Sequence, residues 1–136
     1  MLRLSQCVTS SLPRARLFHA TASRVTPLNK YFVYAPDYPN NVAHRYTVRE
    51  SHLKDVKPLI EDGTFRVAGI IADPAQPTVT INNETRINAT GSILIVEAET
   101  LEDVRKLIEK DIYWRKGVWD KEKMTIQPFF AATPFP

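Results

Sequence analysis

From residue 30 onward, short aromatic or β-branched runs alternate with longer segments that carry an apolar side chain every three or four positions. YFVYA, 31–35, is the first run, and Asp37 and Pro39 end it, so a strand is predicted there. Asn40 or Asn41 is placed to cap the segment that follows. Within 42–62, Val42, Tyr46, Arg49, Leu53, Val56 and Ile60 recur at helical spacing, which predicts a helix with Arg49 in mid-stripe. Pro58 threatens its last turn and Gly63 is placed to stop it. TFRVAGIIA, 64–72, reads as the second strand, with a turn at Asp73-Pro74.

The polar stretch between Pro77 and Gly91 divides two ways. Residues 78–81 and 85–87 either pair across Asn82-Asn83-Glu84 as an exposed hairpin or form a loop. Ser92–Val96 is nearly all apolar and reads as a core strand. Thr100 is a good N-cap, with Glu102 and Asp103 favourable in the first turn, and Val104, Leu107, Ile108 and Asp111 share one side of a second helix. Met124–Phe130 closes the pattern as a last strand. The order β-α-β-β-α-β predicts an α+β fold, a ferredoxin-like sandwich with a small inserted hairpin or loop. Two helices cover one face of such a sheet and leave the other open, so a homodimer is expected.

Charge divides the chain. Of its 18 Lys and Arg, Arg3, Arg14, Arg16 and Arg24 fall within residues 1–25, and the first carboxylate is Asp37. Removing residues 1–25 leaves 14 against 15 Asp and Glu, and the formal charge moves from +3 to −1. An acid-free leader rich in Arg, Ser and Thr predicts a mitochondrial transit peptide over 1–25, a mature domain over 26–136 and residence in the mitochondrial matrix. The basic balance belongs to that leader, so no nucleic-acid partner is expected, and no apolar run is long enough for a membrane span. The one cysteine, Cys7, lies in the leader, which excludes disulfides and thiolate chemistry from the domain.

Polar residues on the helical stripes carry the candidate chemistry. Arg49 sits within the first stripe, and Arg45 and His52 flank it one turn to either side. Asp111 projects from the buried side of the second helix near its C-terminus, where the helix dipole disfavours it. A His52–Asp111 pair would fix the imidazole tautomer and leave one ring nitrogen to exchange a proton with a small substrate, with Arg45 or Arg49 holding an anionic group beside it. Alternatively, Arg49 and Asp111 bridge the helices and His52 is a bystander. Trp114 adjoins the helix end and is the candidate for a pocket wall, whereas Trp119 suits the core. His44 falls on the wet side of the first helix. With four glycines and no phosphate-loop motif, a nucleotide site is not expected, and His44, His52 and the carboxylates have no recognised metal-ligand spacing.

Arg45, Arg49-Glu50-Ser51-His52-Leu53, Ala68-Gly69, Asp111-Ile112-Tyr113, Gly117-Val118 and Ile126-Gln127-Pro128-Phe129 closely resemble the YCII family of small proteins, in consistent order over nearly all of 30–130. Ala35-Pro36-Asp37 after the opening strand is similar too. The resemblance implies a dimeric α+β barrel-type fold, related to muconolactone isomerases, with a His–Asp pair as the suspected catalytic site. That pair maps onto His52 and Asp111, and the family arginine onto Arg49. Some relatives act on oxidised aromatic-ring metabolites, including by removing halide. Two positions depart from the pattern. Ile112 stands where the family usually has Pro, which leaves two outcomes open: the His52–Asp111 pair is kept, or the helix runs further and turns Asp111 away from His52. The Asn-rich 77–91 segment is expected to reshape the pocket entrance.

The function that follows is a small-molecule lyase or isomerase. His52 is its acid or base, Asp111 its orienter, and Arg49, Arg45 and Trp114 its substrate contacts; the substrate is a small anionic or aromatic metabolite and no cofactor is required. The alternative is a non-catalytic ligand-binding or protein-interaction domain that keeps Arg49–Asp111 as a strut.

Overall fold

The computed structural model describes residues 27–135. The transit-peptide expectation for 1–25 lies outside the described residues. The elements are β1 (Asn29–Pro36), α1 (Val42–Glu61), β2 (Phe65–Ala72), β3 (Thr78–Ile81), β4 (Glu84–Ile87), β5 (Ala89–Ala98), α2 (Leu101–Lys110), α3 (Ile112–Arg115) and β6 (Thr125–Phe129). Strands β2-β5-β1-β6 form one antiparallel sheet in that order, and β3-β4 form a separate two-stranded sheet.

The chain is α+β, but the barrel expected from the family resemblance is not there. No sheet closes: β2 and β6 are free edges of the larger sheet. Four strands are too few to curl onto themselves, since a closed barrel with a filled interior needs about eight. Among the described residues no helix is long and apolar enough to cross a membrane.

One face of the sheet carries the core. Tyr31, Val33 and Ala35 alternate inward along β1, in register with Val96, Leu94 and Ser92 of β5. Val56 of α1, Val104 and Ile108 of α2, Tyr113 of α3 and Trp119 pack over them. The opposite face, including Phe32, Tyr34 and Ile93, has no helix over it, and Tyr34 is exposed.

Local chemistry sets the boundaries. Asn41 is the N-cap residue of α1 without a side-chain cap bond; its amide donates instead to the carbonyls of Gly117 and Val118, tying the helix start to the loop after α3. The helix runs through Pro58 to Glu61, and Gly63 leaves it at φ +81°, a conformation that suits glycine. Thr100 caps α2 by accepting the Asp103 N–H at 3.1 Å. The 77–91 segment resolves as the hairpin: Asn82 and Asn83, both at positive φ, make the two-residue turn, and Glu84 pairs with Ile81.

Gly91 lies in β5 opposite Pro36 of β1. A Cβ there would sit 2.8 Å from the Ala35 carbonyl oxygen and 2.9 Å from Pro36 Cα, both backbone atoms of the adjacent strand. Gly91→Ala should therefore destabilise the protein by about 1–3 kcal/mol, an overpacking cost, read from urea unfolding. A loss below about 0.5 kcal/mol would show that the two strands part more easily than a tight ladder allows.

Candidate active site

The line that α1 turns inward is not the stripe its apolar residues suggested. Arg45 and Val56 are buried and Val48 and Leu59 pack against the core, while Leu53 and Ile60 are about half exposed. The inner face therefore runs Arg45–Val48–His52–Val56–Leu59, a helical series with two polar members. Each of these must find a partner inside the fold.

Arg45 finds Asp37, the residue that follows β1. Its Nη1 donates to both carboxylate oxygens, at 2.7 and 2.9 Å, and its Nη2 donates to Ser92 Oγ at 2.7 Å. The two charged side chains are 2% and 3% exposed. Burial pushes the Asp37 carboxyl above its ordinary range, and the adjacent guanidinium only partly offsets this. The guanidinium also lies 4.6 Å from the centre of the Tyr113 ring. Arg45 is thus a buried strut between helix and sheet, whereas the sequence suggested Arg49 as a strut between the two helices.

His52 finds Asp111. Nδ1 and Asp111 Oδ1 are 2.9 Å apart, and the same oxygen accepts the Tyr113 N–H at 2.8 Å. A carboxylate can only accept, so Nδ1 carries the hydrogen and the neutral ring presents its lone pair at Nε2. The imidazole is stacked on Tyr113 with centroids 3.9 Å apart and planes 9° from parallel, and meets Trp119 edge-on at 5.9 Å. Among the described residues Nε2 has no hydrogen-bond partner.

Asp111 stays in place without the family proline. It ends α2 in an extended conformation (φ −61°, ψ 142°) and at once caps α3 through the Tyr113 N–H. The dipole that opposed an Asp at the end of α2 is answered by the new helical turn it opens. Ile112 takes the first helical position of that turn, where proline is favoured but not needed. Of the two outcomes that Ile112 left open, α2 does not run on, and Asp111 is not turned aside.

A cavity of about 370 Å3 lies between α1 and the β2–β5 part of the sheet. His52, Arg45, Arg49, Ser92 and Tyr113 give it its polar wall. Ile87, at the end of the hairpin, also borders it, so the inserted segment does shape one side. Arg49 is half-buried, carries no ion pair among the described residues and lies 5.9 Å from the Tyr46 ring. The Arg49–Asp111 strut is accordingly not formed. Trp114 is not brought to this cavity: it lies in a separate small groove with Met124 and Ile126, beneath Lys121. Trp119 is fully buried, and His44 contacts the Lys116 carbonyl at the surface.

Asp37, Ser92 and Tyr113 were not singled out from the sequence, although signals were present. Ser92 is a polar residue in phase with inward-facing Leu94 and Val96, and Asp37 is a carboxylate at the mouth of a core strand. Burial pushes the Tyr113 phenol up to about 12, with Asp37 and Asp111 adding to the shift and Arg45 and Arg49 opposing it.

Two outcomes follow from these environments. Asp37→Ala strands a buried guanidinium and should cost about 3–5 kcal/mol in denaturant unfolding; a loss under about 1 kcal/mol would mean the pair is solvated. In an alkaline titration followed by phenolate absorbance, one of the five tyrosines should ionise late, near 12, and Tyr113→Phe should remove that step. The raised value means the folded chain keeps a proton that the unfolded chain loses. Tyr113's contribution to stability should therefore decline as pH rises from about 10 toward 12.

Known proteins share this framework. The chain is 33% identical over 104 residues to fusaric acid biosynthesis protein 2 of Gibberella fujikuroi, covering 76% of this chain and 95% of that one. Protein YciI of Escherichia coli is 31% identical over 99 residues, 73% of this chain and 94% of its own. Aspartate kinase FUB3 of Fusarium oxysporum f. sp. lycopersici is 33% identical over 107 residues, which are 79% of this chain but only 19% of the kinase. In fold, the chain is similar to 5-chloro-2-hydroxyhydroquinone dehydrochlorinase from Burkholderia phenoliruptrix, solved with 2,5-dihydroxybenzoquinone. The TM-score is 0.60 and the identity 24%, over 74% of this chain and 93% of that one. The YCII-related domain model matches residues 29–129, and the chain belongs to the YCII-related domain family.

Proposed function

We propose that this chain is a small-molecule enzyme, a lyase or isomerase that works by proton transfer at His52 Nε2. The observation that carries it is the 2.9 Å contact between His52 Nδ1 and a buried carboxylate, with His52 on the wall of a cavity of about 370 Å3. That volume suits a small metabolite. Asp111, itself pinned by a backbone N–H, holds the imidazole in one tautomer and compensates the imidazolium formed when Nε2 accepts a proton. Returning the proton to another atom isomerises the substrate. If the electron pair it left behind instead expels a group from the neighbouring atom, the product is an elimination product.

Arg49 is the anion clamp in this scheme, since it borders the cavity with no carboxylate of its own. A flat oxygenated ring is the preferred substrate class. The His52–Tyr113 stack supplies an aromatic wall, and the dehydrochlorinase of similar fold was solved with a dihydroxybenzoquinone. The uncovered sheet face with Phe32, Tyr34 and Ile93 supports pairing of two copies.

The test is exchange of substrate hydrogen with deuterated water, followed by NMR over a panel of small hydroxylated aromatic and carbonyl acids. Wild-type protein should catalyse exchange or conversion of at least one member. His52→Gln should lower the rate by about 10²–10⁴, and Asp111→Asn by at least about tenfold. Unchanged turnover in a folded His52→Gln protein would refute the role.

A further inference from the structure

Ser92 ends a second chain of contacts that reaches the same cavity. Its Oγ receives the Arg45 Nη2–H at 2.7 Å and, more weakly, the Trp119 indole N–H at 3.4 Å. Guanidinium and indole groups only donate, so the hydroxyl oxygen is the acceptor in both contacts and its own hydrogen must point elsewhere. Ser92 is 4% exposed, yet no acceptor among the described residues takes that hydrogen, and the residue borders the cavity that His52 borders. A buried donor with nothing to bond is costly, and such groups in a native fold call for a partner.

Arg45 is held within the fold: Nη1 donates to both Asp37 oxygens and Nη2 to Ser92, while its Nε–H is buried with no hydrogen-bond partner among the described residues. What it does is fix the serine: Asp37 orients Arg45, and Arg45 occupies a Ser92 lone pair, which leaves the hydroxyl hydrogen for another acceptor. The cavity thus has two relays on its wall. Asp111–His52 ends in an acceptor, and Asp37–Arg45–Ser92 ends in a neutral donor.

We propose that the Ser92 hydroxyl donates to a substrate oxygen that becomes negative during the reaction. The substrate is then a carbonyl or phenolic compound that forms an enolate or phenolate. This rests on the proton-transfer reading of His52. For a carbonyl substrate, His52 Nε2 takes a proton from the carbon beside the C=O. The C–H electron pair becomes a C=C bond, and the carbonyl π pair moves onto oxygen. For a phenol, His52 Nε2 takes the O–H proton and the bonding pair stays on oxygen. In both cases Ser92 hydrogen-bonds that oxygen without giving up its hydrogen. Ser92 touches the substrate, whereas Arg45 and Asp37 are positioning residues.

The probe is 4-nitrophenol, whose ionised form is read by absorbance, titrated with the full chain on both sides of the pH at which the free phenol is half ionised. Wild-type protein should bind the phenolate in preference to the phenol. Ser92→Ala should weaken phenolate binding tenfold or more while changing phenol binding little, and Ser92→Cys, with its weaker donor, should fall between. If the alanine variant fails to fold, the cysteine variant alone still decides, since a structural role would lower both affinities together. The same Ser92 dependence should persist in a His52→Gln background, where proton transfer is gone. No phenolate preference in the wild type, or equal phenolate affinity in Ser92→Ala, would overturn the proposal. Turnover that survives His52→Gln would instead remove the proton-transfer reading and leave the phenolate result standing.

Discussion

A guanidinium taken out of water needs a carboxylate, and the burial of Arg45 organises much of what surrounds it. The partner must come from another element, because the inner line of α1 offers no acid. Asp37, at the end of β1, supplies it with both oxygens. Helix α1 is thereby tied to the C-terminal end of β1, close to where Trp119 bridges to Asp37. Removing one member of such a pair is far worse than never having had it. The pair therefore specifies where α1 sits more sharply than apolar contact would, and the position of α1 in turn sets where His52 can reach.

The second constraint lies where α2 stops. Asp111 ends one helix and opens the next in the same residue, and its Oδ1 receives both a backbone N–H and the imidazole. The carboxylate is thus oriented by the chain before it orients His52. Tyr113, two residues on, provides both that backbone N–H and the ring on which the imidazole stacks. Three consecutive residues, Asp111-Ile112-Tyr113, fix the tautomer, the plane and the position of one catalytic candidate.

Where side chains obey a period, the sequence was readable. The β1 strand and the caps at Thr100 and Gly63 have local causes and are found, and the segment left between hairpin and loop is the hairpin, turning at Asn82-Asn83. The stripe of α1 was misread because it was drawn through Leu53 and Ile60. The true inner line carries Arg45 and His52, whose burial depends on Asp37 and Asp111, 8 and 59 residues away in the chain. Periodicity weighs apolar character and cannot see a partner that distant. The His52–Asp111 contact was legible only as two polar residues out of place, and the choice between His52 and Arg49 as the partner of Asp111 required coordinates. Trp114 failed for a related reason: adjacency to a helix end says nothing about the direction in which a ring points. Barrel closure was inferred from likeness to relatives, and a single four-stranded sheet with two edges does not provide it.

The misread stripe and the cavity have one origin. Leu53 and Ile60 are not packed into the core because they border the space between α1 and the edge strand β2, where Ala68 and Gly69 contribute little bulk. A helix whose inner line was wholly apolar could settle closer to the sheet and fill that space. Held instead by Arg45 at one end and by His52 against Asp111 two turns later, α1 leaves a cavity between itself and the β2–β5 part of the sheet. The ion pair and the imidazole–carboxylate contact offset the apolar burial that is given up, and the opening they preserve is the one that His52 lines. Stability and site are therefore linked through the same helix: a substitution that replaced Arg45 and His52 by leucine would improve the hydrophobic pattern and close the cavity.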